Sequence, residues 1–223
     1  IITNGIWGKI MWYRNVGTRN EPRLAAGQPV EIAAGLSVPG PSWNWWKAQG
    51  QELVTQWRTS PQVIDWNGDG LNDLVMSDAE GYLALFERRR SSTGQLELLP
   101  GKRVFWSLGS SEFNSNGVAQ NSESGLLRLN NGEIGRAGRR TFCFFDWDGD
   151  GTLDLMLNSA PNVNFFKGSG KNAAGNWVFA DKGPVHPHVL AGHATKPTAI
   201  DLKGDGKRQL LIAAEDGFFY LVP

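Results

Sequence analysis

Short apolar runs rich in aromatic residues recur along the chain, each broken by a turn that contains glycine. Residues 74–76 are followed by a turn at 78–81 and then by a second apolar run at 82–86. Residues 210–212 and 218–222 repeat this order near the end of the sequence. Short apolar runs around glycine turns, without a long helical period, are typical of β-hairpins. The pattern predicts an all-β protein of antiparallel strands.

An acidic loop precedes two of these hairpins. Residues 65–73 read DWNGDGLND, and residues 146–154 read DWDGDGTLD. Both loops place side-chain oxygens at positions 1, 3, 5 and 9, and a glycine at position 6, where the chain must turn sharply. A hard cation such as calcium takes six to eight oxygen ligands, and alternate carboxylates supply them. Strand-like residues follow each loop, with Met76 and Leu157 where an EF-hand has its bidentate glutamate. The loops are therefore predicted calcium sites built into β-structure.

A third loop at residues 201–209 keeps only part of this pattern. It has Lys203 at position 3 and Gln209 at position 9. An ammonium group has no acceptor with which to ligate a cation. We expect Lys203 to pair with Asp201 and Asp205 instead, in a loop that folds without metal.

The first residues of the chain match the hairpin that follows an acidic loop, with Ile1 at the position of Leu74. We therefore expect this chain to be part of a longer one, with a further acidic loop upstream. The loops begin at residues 65, 146 and 201, so their spacing is uneven. The excess in the first interval predicts an inserted polar loop at about residues 107–135.

The loop pattern D-x-D/N-G-D-G-x-x-D, with a leucine-containing hairpin after it, resembles the FG-GAP or VCBS repeat family. That family includes integrin-α propellers and many secreted bacterial proteins. The resemblance extends over essentially the whole chain and implies a β-propeller with calcium in its strand-connecting loops. Residues 1–223 would form a single propeller segment of three to four blades, part of a propeller of about seven. The blades would be a partial one at 1–40 and others around 65–73, 146–154 and 201–209.

Carried over residue by residue, the resemblance implies calcium ligands in the first two loops. The ligands would be Asp65, Asn67, Asp69, the Leu71 carbonyl and Asp73, then Asp146, Asp148, Asp150, the Thr152 carbonyl and Asp154.

Charge and composition narrow the range of partners. The chain has 22 basic and 22 acidic residues, so it has no broad basic field for nucleic acid. It has no apolar stretch long enough to span a membrane.

The single cysteine, Cys143, allows no internal disulfide, and its apolar neighbours predict a buried, inert thiol. Because millimolar calcium is found outside the cytosol, we expect a secreted, periplasmic or cell-surface protein.

Three tryptophans crowd a short segment, at Trp43, Trp45 and Trp46. Exposed indoles offer flat apolar faces for sugar rings, and their N–H groups can bond a hydroxyl. The same residues could equally fill the core between blades. By contrast, Trp66 and Trp147 occupy position 2 of both acidic loops, so the repeat predicts a structural role for them.

Some secreted propellers that this chain resembles are polysaccharide lyases or glycoside hydrolases. His193 would then act as a base and Arg58 would neutralise a uronate carboxylate, since both precede an acidic loop in equivalent connections. Ordinary loop residues are the alternative. Zinc at His186, His188 and His193 lacks further support in the sequence. The candidate acids for a glycosidase are known only from their place in the insertion: Glu112, Glu123 and Glu133.

Together these observations predict a secreted, calcium-binding β-propeller module that binds or processes carbohydrate. Its partners would be a polysaccharide or glycan and the remainder of the parent propeller. A lyase or glycoside hydrolase is the first alternative, and a cell-adhesion or protein-interaction propeller is the second.

Overall fold

The computed structural model describes residues 2–4, 7–41, 48–108, 125–130, 140–159, 162–187, 189–190 and 195–222. Every regular element in these ranges is a β-strand, which confirms the predicted all-β class. The chain divides into two compact units. The first comprises Ile1–Arg103 and Leu129–Arg139, and the second comprises Val104–Arg128 and Arg140–Pro223.

In the first unit the strands form two three-stranded antiparallel sheets and one separate strand pair. The first sheet has the order β1-β2-β3, the second β4-β5-β6, and the pair is β7-β8. Their bounds are β1 (Ile2–Asn4), β2 (Ile10–Trp12), β3 (Gln28–Pro29), β4 (Gln62–Ile64), β5 (Asp73–Ser77), β6 (Leu83–Phe86), β7 (Arg88–Arg90) and β8 (Leu96–Leu98).

In the second unit a five-stranded sheet has the order β10-β11-β12-β13-β9, and a three-stranded sheet has the order β14-β15-β16. Strand β9 pairs with β13 in parallel, and the other pairs are antiparallel. Their bounds are β9 (Phe105–Leu108), β10 (Phe142–Phe145), β11 (Asp154–Ser159), β12 (Asn162–Lys171), β13 (Trp177–Pro184), β14 (Thr195–Ile200), β15 (Gln209–Ala214) and β16 (Phe219–Val222).

The repeat is visible in the register of the hairpins. Leu74 pairs with Phe86 in β5–β6, and Leu210 pairs with Val222 at the equivalent place in β15–β16. The β1–β2 hairpin has the same register, and the β11–β12 hairpin is one residue shorter. The turn glycines of the three equal hairpins all have positive φ: +83° at Gly8, +93° at Gly81 and +86° at Gly217. Only glycine adopts this conformation at no steric cost, so these turns are specified locally.

Each unit has a core made by its repeated strands. In the first, Ile10, Leu74 and Met76 are among the buried residues. In the second, Phe145, Met156 and others form the equivalent cluster. Strands β5, β6, β10 and β11 are buried along their whole length, which explains why they read as continuous apolar runs. Cys143 lies in β10, and burial raises the pKa of its thiol to about 12, in keeping with the predicted inert role.

The predicted insertion at 107–135 lies largely outside the described residues. The structure places its first two residues, 107 and 108, in strand β9. Residues 125–130 are also described, and Leu126 forms an isolated bridge with Trp106.

Candidate metal-binding loops

Each acidic loop joins two neighbouring antiparallel strands, and all three loops start and end at the same register. Strand pairing brings together Ile64 and Asp73 at the first loop, and Phe145 and Asp154 at the second. Ile200 and Gln209 pair at the third. Strands β5, β10 and β11 are buried along their whole length, whereas β4 is only partly buried, and the strand pairing fixes the two ends of each polar loop.

The first aspartate of every loop accepts backbone N–H groups from the loop itself. The Asp65 Oδ1 accepts from the residues at positions 4 and 5, at 2.9 and 3.1 Å, and its Oδ2 accepts from position 6 at 2.9 Å. The same three bonds measure 2.8, 3.1 and 2.9 Å at Asp146, and 2.7, 3.2 and 2.9 Å at Asp201. A carboxylate has about four acceptor sites, so three such bonds leave capacity for a cation.

The aspartate at position 9 is buried and ties the loop to the strands. Asp73 Oδ2 accepts the Trp66 N–H at 3.0 Å, and its Oδ1 accepts the Arg88 N–H at 2.7 Å. Asp154 makes the same two bonds to Trp147 and Gly168, at 2.9 and 2.8 Å. Burial raises the pKa of both carboxyl groups. A bound cation would oppose that shift, because it stabilises the charged form.

The aspartate at position 5 forms a local turn within the loop. Asp69 Oδ1 accepts the Leu71 N–H at 2.8 Å, and Asp150 Oδ1 accepts the Thr152 N–H at 2.8 Å. In the third loop Asp205 accepts the Lys207 N–H at 2.9 Å. The third loop therefore folds like the others, although its position 9 offers an amide.

The second loop brings three carboxylates close enough to share an ion. One oxygen from each of Asp146, Asp148 and Asp154 lies within 4.8 Å of the others. Among the described residues this is the one group of three or more histidine, cysteine and acidic side chains with that spacing. The first loop has the amide of Asn67 at position 3, which offers an oxygen without a charge. The acidic triad of the second loop could thus hold a metal ion.

A lysine from a neighbouring strand reaches the second loop. The Lys167 ammonium on β12 contacts Asp148 Oδ2 and lies 2.9 Å from Asp150 Oδ2. These hydrogen bonds raise the pKa of Lys167, and its bond to Asp150 lowers the pKa of that carboxyl. Sequence reasoning missed this contact and assigned the pairing role to Lys203, which forms no ion pair with Asp201 or Asp205.

The expected pairing at Lys203 was wrong, and backbone N–H groups of the loop hold Asp201 and Asp205 instead. Hydrogen bonds from backbone N–H groups, led by Gly206, lower the pKa of Asp201. Alignment of the repeats could have drawn attention to Lys167, because the equivalent residue of the first repeat is Glu87 and the charge is therefore reversed. That glutamate instead accepts from Lys102 at 2.5 Å. The two loops therefore have opposite charges at an equivalent neighbouring position.

The other predicted site residues are only partly described. Trp43, Trp45, Trp46 and His193 lie outside the described residues, as do His188, Glu112, Glu123 and Glu133. Arg58 is described, and its guanidinium lies 4.4 Å from the centroid of the Trp57 ring. Among the described non-glycine residues only Arg58 has a positive φ, +56°. The tryptophan platform and the His193–Arg58 pair therefore stay predictions.

The tryptophans at position 2 of the loops behave as the repeat predicts. Trp66 is buried, and Trp147 packs edge-to-face on Phe145 with ring centroids 5.5 Å apart. Both belong to the structure of their units.

Comparison of the chain with models of protein families, with curated proteins and with solved structures gave no match. No helix in the described ranges has the length and apolar character that crossing a bilayer requires. The fold and the loops define an all-β protein of several mainly antiparallel sheets, with acidic loops between paired strands, and one of these loops could hold a metal ion.

Proposed function

We propose that the chain is an exported, calcium-stabilised β-propeller module of the FG-GAP or VCBS type that binds carbohydrate. The observation that carries this proposal is the shared construction of the acidic loops. In each loop the first aspartate is held by three backbone N–H groups between two paired strands.

The donor set favours calcium over other metals. The first two loops offer carboxylate, amide and carbonyl oxygens, and calcium prefers such oxygens in an adaptable geometry of six to eight ligands. Zinc and copper prefer nitrogen and sulfur, which the loops do not supply. The proposed ligands in the first loop are Asp65, Asn67, Asp69, the Leu71 carbonyl and Asp73. In the second they are Asp146, Asp148, Asp150, the Thr152 carbonyl and Asp154.

Bound calcium would neutralise carboxylates that are held close together and link the strands on either side of the loop. This role needs no reacting group, so the metal is structural in this proposal. The third loop already replaces ligands 3 and 9 by Lys203 and Gln209, and we propose that it stays free of metal.

The repeated sheets support the propeller assignment. Three hairpins share one register, and three acidic loops connect strands in the same way. We propose that these sheets are blades and that the remainder of a parent propeller completes the ring. The calcium requirement supports an extracellular, periplasmic or cell-surface location, where millimolar calcium is available.

Exposed indoles support carbohydrate as the ligand class. Trp7 is 39% exposed and Trp12 is 37% exposed, although large aromatic side chains usually stay covered. An exposed indole stacks on the C–H face of a sugar ring and keeps its N–H for a hydroxyl.

Two measurements on the full chain test the proposal. Calorimetric titration of chelator-treated protein with calcium should show two sites, and magnesium should bind more weakly because it demands stricter geometry. A glycan array probed in calcium and in chelator tests the ligand class. Absence of calcium binding would refute the metal assignment, and absence of glycan binding would refute the carbohydrate assignment. Release of sugars or unsaturated products would favour the lyase or hydrolase alternative instead.

A further inference from the structure

A cleft of about 590 Å³ lies in the first unit, between strands β1, β2, β4, β5, β7 and β8. Its volume falls in the range of small-ligand sites, roughly 300 to 1,000 Å³. The cleft is separate from the proposed metal ligands, although Asn72, at position 8 of the first acidic loop, contributes to its wall.

Apolar side chains in the wall of the cleft remain unusually exposed. Trp12 on β2 is 37% exposed, Val63 on β4 is 48% exposed, and Leu96 on β8 is 44% exposed. Each comes from a different pair or sheet, so the apolar surface is assembled by the fold. Single exposed apolar residues are common on proteins, but several around one concavity mark a binding site.

The polar side chains of the cleft include several without partners. The Arg88 guanidinium, the Glu31 carboxylate, the Asn72 amide and the Trp12 indole N–H form no hydrogen bond or ion pair with another described residue. Glu97, in the same wall, does have a partner, because its carboxylate forms an ion pair with Arg89 at 3.2 Å. Four uncommitted polar groups beside exposed apolar surface are what a ligand with both polar and apolar faces requires.

The two repeats differ at the positions of two of these side chains, Arg88 and Asn72. Arg88 and Gly168 make the same backbone bond to the position-9 aspartate of their loops, at 2.7 and 2.8 Å. A Cβ at Gly168 would lie 2.2 Å from the Leu153 carbonyl oxygen, so the second repeat has no room for a side chain there. Leu153 also stands where the first repeat has Asn72. The first repeat therefore differs from the second at two of the positions that supply polar groups to the cleft.

We infer that this cleft binds a neutral sugar unit of a glycan, an inference that rests on the carbohydrate-binding function proposed above. Arg88 and the Trp12 N–H can only donate hydrogen bonds, Glu31 can only accept them when ionised, and an amide does both. Sugar hydroxyls donate and accept, so they satisfy such a mixed set. The Trp12 ring gives the C–H face of the sugar an apolar platform.

The charges favour a neutral ligand over an acidic one. Arg88 and Glu31 carry opposite charges and neither side chain has a partner among the described residues, so these two groups together give the cleft no surplus charge to select an ion. A uronate carboxylate bound by Arg88 would share the cleft with the unpaired Glu31 carboxylate, and like charges repel.

The test is a binding titration of the full chain in calcium with neutral trisaccharides of glucose, xylose and mannose, and with trigalacturonate. Trp12→Ala and Arg88→Ala should each weaken binding of the neutral ligand by about tenfold or more. Phe218→Ala is the aromatic control, since Phe218 is 67% exposed and does not line the cleft. Arg90→Ala is the basic control on the same strand, and both controls should leave affinity within about twofold.

Circular dichroism and melting temperature establish that each variant is folded. If Trp12→Ala is unfolded, Trp12→Phe replaces it, and partial loss of affinity is then expected. Neutral-sugar binding that both cleft variants leave unchanged would overturn the inference and leave the proposed function standing. Tighter binding of trigalacturonate, lost in Arg88→Ala, would overturn the neutral-sugar assignment. Failure to bind any glycan would instead overturn the proposed function.

Discussion

The substitution Asp69→Asn separates calcium binding from loop folding. Asp69 Oδ1 accepts the Leu71 N–H at 2.8 Å, and an asparagine oxygen can accept the same bond. The turn should therefore survive, while the charge that attracts a cation is lost. Asp69 Oδ2 also accepts from Asn67 at 3.1 Å, and the measurement in chelator reports the effect of losing this exposed bond.

The size of the effect follows from binding linkage. A ligand that binds only the folded state stabilises it by RT ln(1 + [L]/Kd). Extracellular calcium modules have dissociation constants of about 10⁻⁴ to 10⁻³ M, so about 10 mM calcium adds about 1.4 to 2.7 kcal/mol per site. If Asp69→Asn weakens the first loop about tenfold, the variant should lose about 1 kcal/mol of that stabilisation.

Urea denaturation in calcium and in chelator measures this loss. The matched control is Asp205→Asn in the third loop, where Asp205 makes the same turn with Lys207 at 2.9 Å and Lys203 replaces a ligand. Asp69→Asn should lower the free energy of unfolding in calcium but not in chelator. Asp205→Asn should change that free energy by the same amount in both conditions. An equal loss for Asp69→Asn in chelator, or an equal calcium-dependent loss for the control, would refute the metal assignment.

Two further substitutions probe the second loop and a repeated turn. Lys167→Met should tighten calcium binding at the second loop by about threefold to tenfold, because it removes two exposed ion pairs that compete with the cation. Calorimetry measures the calcium affinity, and Lys171→Met, on the same strand, is the control variant. Equal calcium affinities of Lys167→Met and the unmodified protein would refute the idea that Lys167 competes with the cation. Gly81→Ala should cost about 2 to 4 kcal/mol in urea denaturation, since φ is +93° and its Cβ would lie 2.1 Å from a backbone oxygen. Gly94→Ala, at φ +81° with open space, should cost only about 1 kcal/mol, and equal costs would show that the close approach is relieved.

The features that could be predicted from the sequence are those set by neighbouring residues. The loop aspartates bind backbone groups a few positions away, and the turn glycines Gly8, Gly81 and Gly217 need positive φ whatever surrounds them. Because the same local pattern occurs in several repeats, the first hairpin could be aligned with the others, and its register could be predicted.

The features that escaped prediction depend on contacts between distant segments. Lys167 reaches Asp148 only because β12 folds back beside the loop. The cleft joins Trp12, Val63 and Leu96, which are brought together by packing of separate strands. Contacts of this kind between distant segments leave no periodicity or motif in the sequence.

The places where the repeats differ suggest how the metal and the cleft are connected. The first loop lacks the competing lysine of the second and contributes Asn72 to the wall of the cleft. If calcium binds the first loop and a sugar binds the cleft, as proposed, calcium should order Asn72 in the cleft wall, whereas the second loop belongs to the other unit. Asp69→Asn should weaken glycan affinity in calcium by about fivefold, a typical coupling between linked sites. Asp150→Asn, which keeps the equivalent turn with Thr152, should leave that affinity unchanged. The same titration measures both variants, and equal affinities would show that calcium in the first loop does not act on the cleft.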